Sequence, residues 1–327
     1  MIEHESLLVT LVRLVERIPV PLPPAKRPRG RPTTYPDRLF LKALIIMIVR
    51  HLHTVHELLT VLEQDTPEMC ALHPLLTIEG QFPTRRTWER RLLSLPTTLP
   101  AQIGTLGRHL VALIQPWAEC GRAAAIDTTV LRSRGGVWHK KDREAGIVPH
   151  TSIDTEAHWT KSGWHGWVYG WKLHIVSTVA AVWIPLAAEL TAANAADSEV
   201  APGLLCRMPP EVRVVLGDTS YNTPELHELC LEDARILVTT KRGRYPHTDD
   251  GVEVRRLFHK LRSAAIENLN EQFKGIFDTH GQVPTKGLSN TRRFGLGAIV
   301  VYQLALWYRY EHDQELRIGL KAFLKAA

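Results

Sequence analysis

Three acids occupy positions from which a carboxylate could do chemistry. Asp127 lies in Ala125-Ile126-Asp127-Thr128-Thr129, inside or at the end of a β-like run. Asp218 follows the apolar run Val214-Val215-Leu216 and Gly217. A carboxylate that emerges where an apolar strand ends sits at a sheet edge, the usual ligand position of α/β folds. Glu267 lies within Leu261-Arg262-Ser263-Ala264-Ala265-Ile266-Glu267-Asn268, beside the apolar stripe of a helix and not opposite it. Carboxylates so placed accept protons or offer hard oxygen donors to cations. Each also has a plain reading. An Asp after a strand often forms a turn or caps a helix, and a helical Glu is usually solvated.

The elements that must position these acids can be read from the pattern. Residues 5–17 have helical spacing and are stopped by Pro19, Pro21, Pro23 and Pro24, which make a stiff, extended linker. Residues 37–63 are helical with a break near His51–Thr54, residues 84–94 form a helix started by Pro83 and Thr84, and residues 102–115 form another. From residue 122 the texture changes. Residues 123–131, 172–182, 184–190, 212–216 and 235–240 read as strands. Residues 224–233, 254–276 and 298–308 read as helices. The expectation is a small all-α N-terminal domain (1–118, with a basic Pro-rich linker at 19–36), an α/β domain (119–311) and a tail (312–327).

Composition narrows the function classes. The chain has 327 residues, 44% hydrophobic and 23% charged, which excludes disorder for most of it. Met1–Arg17 carries Glu3, Glu5 and Glu16 and does not read as a signal peptide. The apolar runs 39–49 and 295–307 are too short to span a bilayer. Cys70, Cys120, Cys206 and Cys230 show neither disulfide nor zinc-ribbon spacing. A cytoplasmic protein is expected, with no membrane partner. The net charge of +6 is modest, but it is clustered. Lys26, Arg27, Arg29, Arg31 and Arg38 form one group, and Arg85, Arg86, Arg90 and Arg91 another. Such groups suit a polyanion, or a solvated surface.

Five segments occur in order: Ala125–Thr129, Tyr169-Gly170-Trp171-Lys172-Leu173-His174, Thr191–Ser198, Gly217-Asp218-Thr219-Ser220-Tyr221-Asn222-Thr223, and Ile266–Lys274. Together they resemble the DDE-type transposases of bacterial insertion sequences, over roughly Arg122 to Leu306. The resemblance implies a ribonuclease-H-like core, a mixed sheet flanked by helices. It implies that Asp127, Asp218 and Glu267 are the catalytic, metal-binding triad. Two Mg²⁺ ions about 4 Å apart, for which Mn²⁺ can substitute, would activate the attacking water and stabilise the leaving oxygen of a phosphodiester. The implied activity is cleavage of transposon ends and transfer of their 3′-OH ends to target DNA. The implied partners are the terminal inverted repeats, target DNA and a second copy of the chain, at the bacterial nucleoid. A catalytically silent DNA-binding derivative and a nuclease without strand transfer are the alternatives.

The family signature around Glu267 has a Tyr and an Arg before it and a Lys after it. Lys274 stands seven residues on, as expected. Arg262 is one residue further from Glu267 than the signature requires, and Phe258 or His259 stands near the Tyr position. The 48 residues between Asp218 and Glu267 leave no room for a large inserted subdomain. Lys172, Lys241 and Arg242 join Arg262 and Lys274 as candidate DNA contacts. Arg29-Gly30-Arg31-Pro32 resembles an AT-hook, in which flat Arg-Gly-Arg enters a narrow minor groove; a basic linker on phosphates reads equally well. Arg85, Arg86 and Arg90 would belong to a helix facing DNA, with Trp88 and Leu92 packed inward. Trp138, Trp159, Trp164, Trp167 and Trp171 suit core packing, or stacking on an unpaired base.

Overall fold

The computed structural model describes residues 6–19, 34–114, 122–163, 166–179, 182–239, 256 and 258–325. Arg29, Arg31, Lys241 and Arg242 lie outside the described residues, as does Trp164.

The described residues before 115 are built from helices. α1 (Leu7–Arg17) buries Leu8, Leu11, Val12 and Val15 along one stripe. α2 (Asp37–Val49) is buried along almost its whole length, which explains its lack of a polar face. The expected break follows it, with His51 in the left-handed region at φ 53°. α3 (Val55–Leu62) then starts on a reciprocal cap. The Thr54 hydroxyl accepts from the Glu57 amide, and the Glu57 carboxylate accepts from the Thr54 amide. Thr54→Ala is expected to cost about 1 kcal/mol in chemical denaturation. An unchanged midpoint would show that the cap contributes nothing. α4 (Pro67–Leu75), α5 (Arg85–Ser94) and α6 (Leu99–Ile114) complete this part. In α5, Trp88 and Leu92 face inward and Trp88 meets Phe40 edge-on at 5.1 Å.

Among the described residues the sheet has six strands. β1 (Ala123–Arg132) runs antiparallel to β3 (Gly166–Thr178), with Asp127 opposite Ile175 and Thr128 opposite His174. The other edge of β3 takes β2 (His158–Ser162) on its first residues and β4 (Pro185–Ala192) on the rest. On the far side of β1, β5 (Val214–Gly217) and β6 (Ile236–Thr239) follow in parallel. The main path is therefore β4-β3-β1-β5-β6, antiparallel on one side of β1 and parallel on the other. The short helices α7 (Lys140–Glu144), α8 (Asp197–Leu205) and α9 (Pro224–Glu232) lie between strands. α10 is α-helical over 258–262, π-helical over Ser263–Glu267 and α-helical again over Asn268–Ile276.

α11 (Leu288–Glu311) extends well beyond the apolar run that marks it in the sequence. It is buried because it has partners on several sides, α1, α2, α6 and β4. Its Gln303 amide donates to the carbonyls of Ile103 (3.0 Å) and Pro185 (2.9 Å), tying α6, α11 and β4 together. One hydrophobic cluster runs from α1 and α2 through the sheet to α11 and α12 (Leu320–Lys325). No helix among the described residues is long and apolar enough to cross a membrane.

Candidate active site

Sheet register brings the two aspartates together. Ala125 pairs with Leu216 in the parallel β1–β5 ladder, so continuing that register sets Asp127 level with Asp218. β5 ends at Gly217, and Asp218 begins the turn Thr219–Tyr221. Glu267 reaches the same place from α10, which packs against β1 and β3. All three line one open cleft of about 670 Å³, together with Lys172, Lys274, Arg262, Asp197, Asn270 and residues 160–163 of the β2–β3 hairpin.

The three acids are held differently. Asp127 is the most enclosed. Its Oδ1 meets the Arg262 guanidinium at 3.0 Å, and its Oδ2 accepts from the Asn270 amide at 3.5 Å. Asp218 accepts from the Ser220 amide (2.8 Å) and hydroxyl (2.5 Å), both through Oδ1. The turn-former reading of Asp218 thus coexists with its place in the cleft. Glu267 is exposed and meets the other arm of Arg262 at 3.3 Å.

The π turn explains the spacing of Arg262. In an ordinary α-helix, residues four apart are stacked neighbours and residues five apart are not. A π turn takes one extra residue, so across Ser263–Glu267 the fifth residue returns to the same side. Arg262 therefore faces Glu267 despite the one-residue excess in the sequence. Lys274, two turns beyond Glu267, also lines the cleft, beside Glu271 at 3.5 Å.

Burial pushes the Asp127 carboxyl up to about 6; Arg262 opposes the shift, and the nearby Asp218 and Glu267 add to it. Between the ordinary value and about 6, the folded chain holds a proton that the unfolded chain has lost. Stability from this group is therefore present at about pH 4 and is lost as pH rises through 6, by up to roughly 3 kcal/mol. Asp127→Asn removes the effect. The melting temperature of that variant relative to wild type, with chelator present, should climb between pH 4 and pH 7. A flat difference would contradict it.

The donor set suits a hard divalent cation. The side chains are carboxylates, and the most enclosed one, Asp127, is balanced by a cation, Arg262. No group of three or more His, Cys, Asp or Glu side chains among the described residues stands at metal-ligand spacing. The acids share a cleft without closing into a ligand set.

Sequence reasoning assigned no role to Asp197. It lies at the start of α8 and pairs with Lys172 at 2.9 Å, while Lys172 also donates to the Ala195 carbonyl at 2.9 Å. Behind them His174 is fully buried, and burial pushes its imidazole down to about 4, so it is neutral. The signal for Asp197 lay in Thr191–Ser198, whose first two residues end β4 beside Lys172 and Trp171 of β3 and whose Asp197 opens α8.

Among the described residues, the remaining basic candidates are not part of this cleft. Arg85, Arg86 and Arg90 are exposed on α5, with Arg85 paired to Glu89 at 2.8 Å. Arg91 turns inward instead, pairing with Asp37 and lying over Phe40. Of the tryptophans, Trp171 is buried in the core and Trp167 is exposed on β3.

A mixed sheet whose central strand carries a half-buried aspartate, in a cleft of acids rimmed by lysines and arginine, defines the class: an α/β domain built around an acidic centre. Comparison adds a family resemblance: residues 121–281 match the family model described as "Transposase DDE domain". No curated protein matches the chain. Among solved structures, it is similar to the piggyBac transposase synaptic complex with hairpin DNA, determined by cryo-EM. The identity is 10% and the TM-score 0.42, over 97% of this chain and 76% of that chain.

Proposed function

We propose that this chain is a DNA transposase that cleaves element ends and joins their 3′-OH ends to target DNA. The observation that carries the reading is the convergence of Asp127, Asp218 and Glu267, from β1, the end of β5 and α10, on one cleft inside the segment that resembles a DDE domain. The strand path supports a ribonuclease-H-like core, because the antiparallel β4-β3-β1 unit continues into parallel β5 and β6. The helices before residue 115 and their exposed arginines would serve as the DNA-binding part, and two copies of the chain would pair two element ends.

Asp127, Asp218 and Glu267 would hold divalent magnesium or manganese, which supplies charge neutralisation and an activated water for in-line displacement at phosphorus. The protein residues do the rest. Lys172 and Lys274 line the cleft and bind the phosphate backbone that enters it. Asp197 and the Ala195 carbonyl fix Lys172 so that its ammonium group is presented at a set place. Arg262 neutralises Asp127 and Glu267 between turnovers and offers a second cation to the phosphate.

The test uses purified full-length chain, Mg²⁺ and DNA bearing the sequences that flank its coding region. The reading predicts strand breaks at the repeat ends and covalent joining to a target plasmid. Breaks without joining would favour a nuclease, and binding without breaks a silent derivative.

A further inference from the structure

Each of the two aspartates has a hydroxyl-bearing residue close to it in the chain. Thr128 follows Asp127 and shares a face of the sheet with His174, its partner across the β1–β3 ladder. Tyr221 closes the turn that Asp218 opens. The two hydroxyls meet at 3.1 Å. Thr128 Oγ1 also meets His174 Nδ1 at 2.9 Å, and His174 Nε2 meets Thr191 Oγ1 at 2.9 Å. Thr191 Oγ1 reaches the Ala192 carbonyl at 3.1 Å.

The end of this chain fixes its direction. A carbonyl only accepts, so Thr191 donates to it and must accept from His174 Nε2–H. Neutral imidazole then has a bare Nδ1, which accepts the Thr128 proton. The Thr128 oxygen in turn accepts from the Tyr221 hydroxyl. Each of the four protons along the path, on Tyr221, Thr128, His174 Nε2 and Thr191, is donated once and in one direction. Tyr221 is almost fully buried, and burial together with Asp197, Asp127 and Asp218 raises its phenol well above the ordinary value, so it keeps the proton it donates.

The path starts in the Asp218 turn, crosses β1 beside Asp127, passes through β3 and ends on β4. Each crossing is perpendicular to the strands, so the chain resists sliding of the Asp218 turn along β1. Backbone pairing does not do this by itself at that level, because the paired β1–β5 register ends at Ala125 and Leu216.

We propose that the hydrogen-bond chain Tyr221–Thr128–His174–Thr191 is a positioning element that holds Asp218 level with Asp127 and so sets the affinity of the acid pair for a divalent cation. This rests on the reading of the acids as cation ligands. The four side chains are assigned as positioning residues and not as ligands. They act by fixing where the two carboxylates stand.

The test is equilibrium Mn²⁺ binding to the full chain, followed by electron paramagnetic resonance of free Mn²⁺. It compares wild type, Thr128→Val, Thr128→Ser and Tyr221→Phe. Thr128→Val keeps the shape and removes the hydroxyl; Thr128→Ser restores the hydroxyl. Thr128→Val and Tyr221→Phe should bind Mn²⁺ roughly tenfold more weakly, about the net worth of one hydrogen bond. Thr128→Ser should stay within about twofold of wild type by the same reckoning. Wild-type affinity in a folded Thr128→Val overturns the proposal, as does Thr128→Ser as weak as Thr128→Val. If Thr128→Val does not fold, Tyr221→Phe decides, since it removes only the terminal donor; wild-type affinity there overturns the proposal. Wild type that binds no Mn²⁺ fails at the earlier step, overturning the ligand reading of the acids and this proposal with it.

Discussion

Replacing Asp127 by alanine is expected to lower metal-dependent DNA cleavage at least about a thousandfold while the chain still folds. The size of the effect follows from where Asp127 stands. It is the central acid of the cleft, on the central strand, with Asp218 beside it and Glu267 across from it. Withdrawing one of three converging carboxylates removes several kcal/mol of charge stabilisation at the reacting phosphate, and about 1.4 kcal/mol is tenfold in rate. Folding survives because burial already disfavours the Asp127 charge at neutral pH. Arg262 loses one partner but keeps Glu267. Circular dichroism and a melting curve would establish the fold, and a DNA nicking assay the activity. Activity within about tenfold of wild type, in a folded sample, would remove Asp127 from the chemistry.

The second large effect is on stability. Gly170 lies on β3 between two neighbours, opposite Arg132 of β1 and His158 of β2. A Cβ placed there would sit far inside van der Waals contact with the Leu131 carbonyl oxygen. It would also stand 2.8 Å from the Ser133 amide nitrogen and 3.0 Å from the Arg132 Cα. These are backbone atoms, so no side chain can turn away to make room. Gly170→Ala therefore has to part β1 from β3 at the end of their ladder, and Lys172 lies two residues further along β3. We expect a loss of about 3 kcal/mol or more and a melting temperature lower by several degrees. Wild-type stability would mean that β1 and β3 do not approach this closely. The glycine in Tyr169-Gly170-Trp171-Lys172 thus has a packing reason that is independent of the cleft.

The strands and helices that carry the acids were legible because each has its own apolar signal. Ala123–Arg132 is a run of small and branched residues, and Val214-Val215-Leu216 stops abruptly at Gly217-Asp218. Other features were hidden for physical reasons. β2 has no apolar run, since His158-Trp159-Thr160-Lys161-Ser162 is an edge strand of mixed polarity that exists only by pairing with β3. The strand expected at 172–182 begins earlier, at Gly166, because its first residues, Gly166–Gly170, pair with β2. The π turn left no mark on periodicity, and Arg262 therefore looked misplaced when counted at α-helical spacing. Asp197 looked ordinary because its partners Lys172 and His174 lie on a strand far back in the sequence, and only the β3–β4 pairing brings them near. Arg91 looked like its neighbours on α5, but its orientation is set by Asp37 and Phe40 of another helix.

The most direct measurement is Mg²⁺-dependent cleavage of the DNA flanking the coding region, with wild-type chain and Asp218→Ala side by side under identical conditions. Asp218 is the best choice because, among the described residues, its side chain bonds only within its own turn, to Ser220. The account predicts breaks at the ends of the flanking repeats with wild type, their dependence on divalent metal, and their loss with Asp218→Ala. Equal cleavage by the two proteins would contradict it.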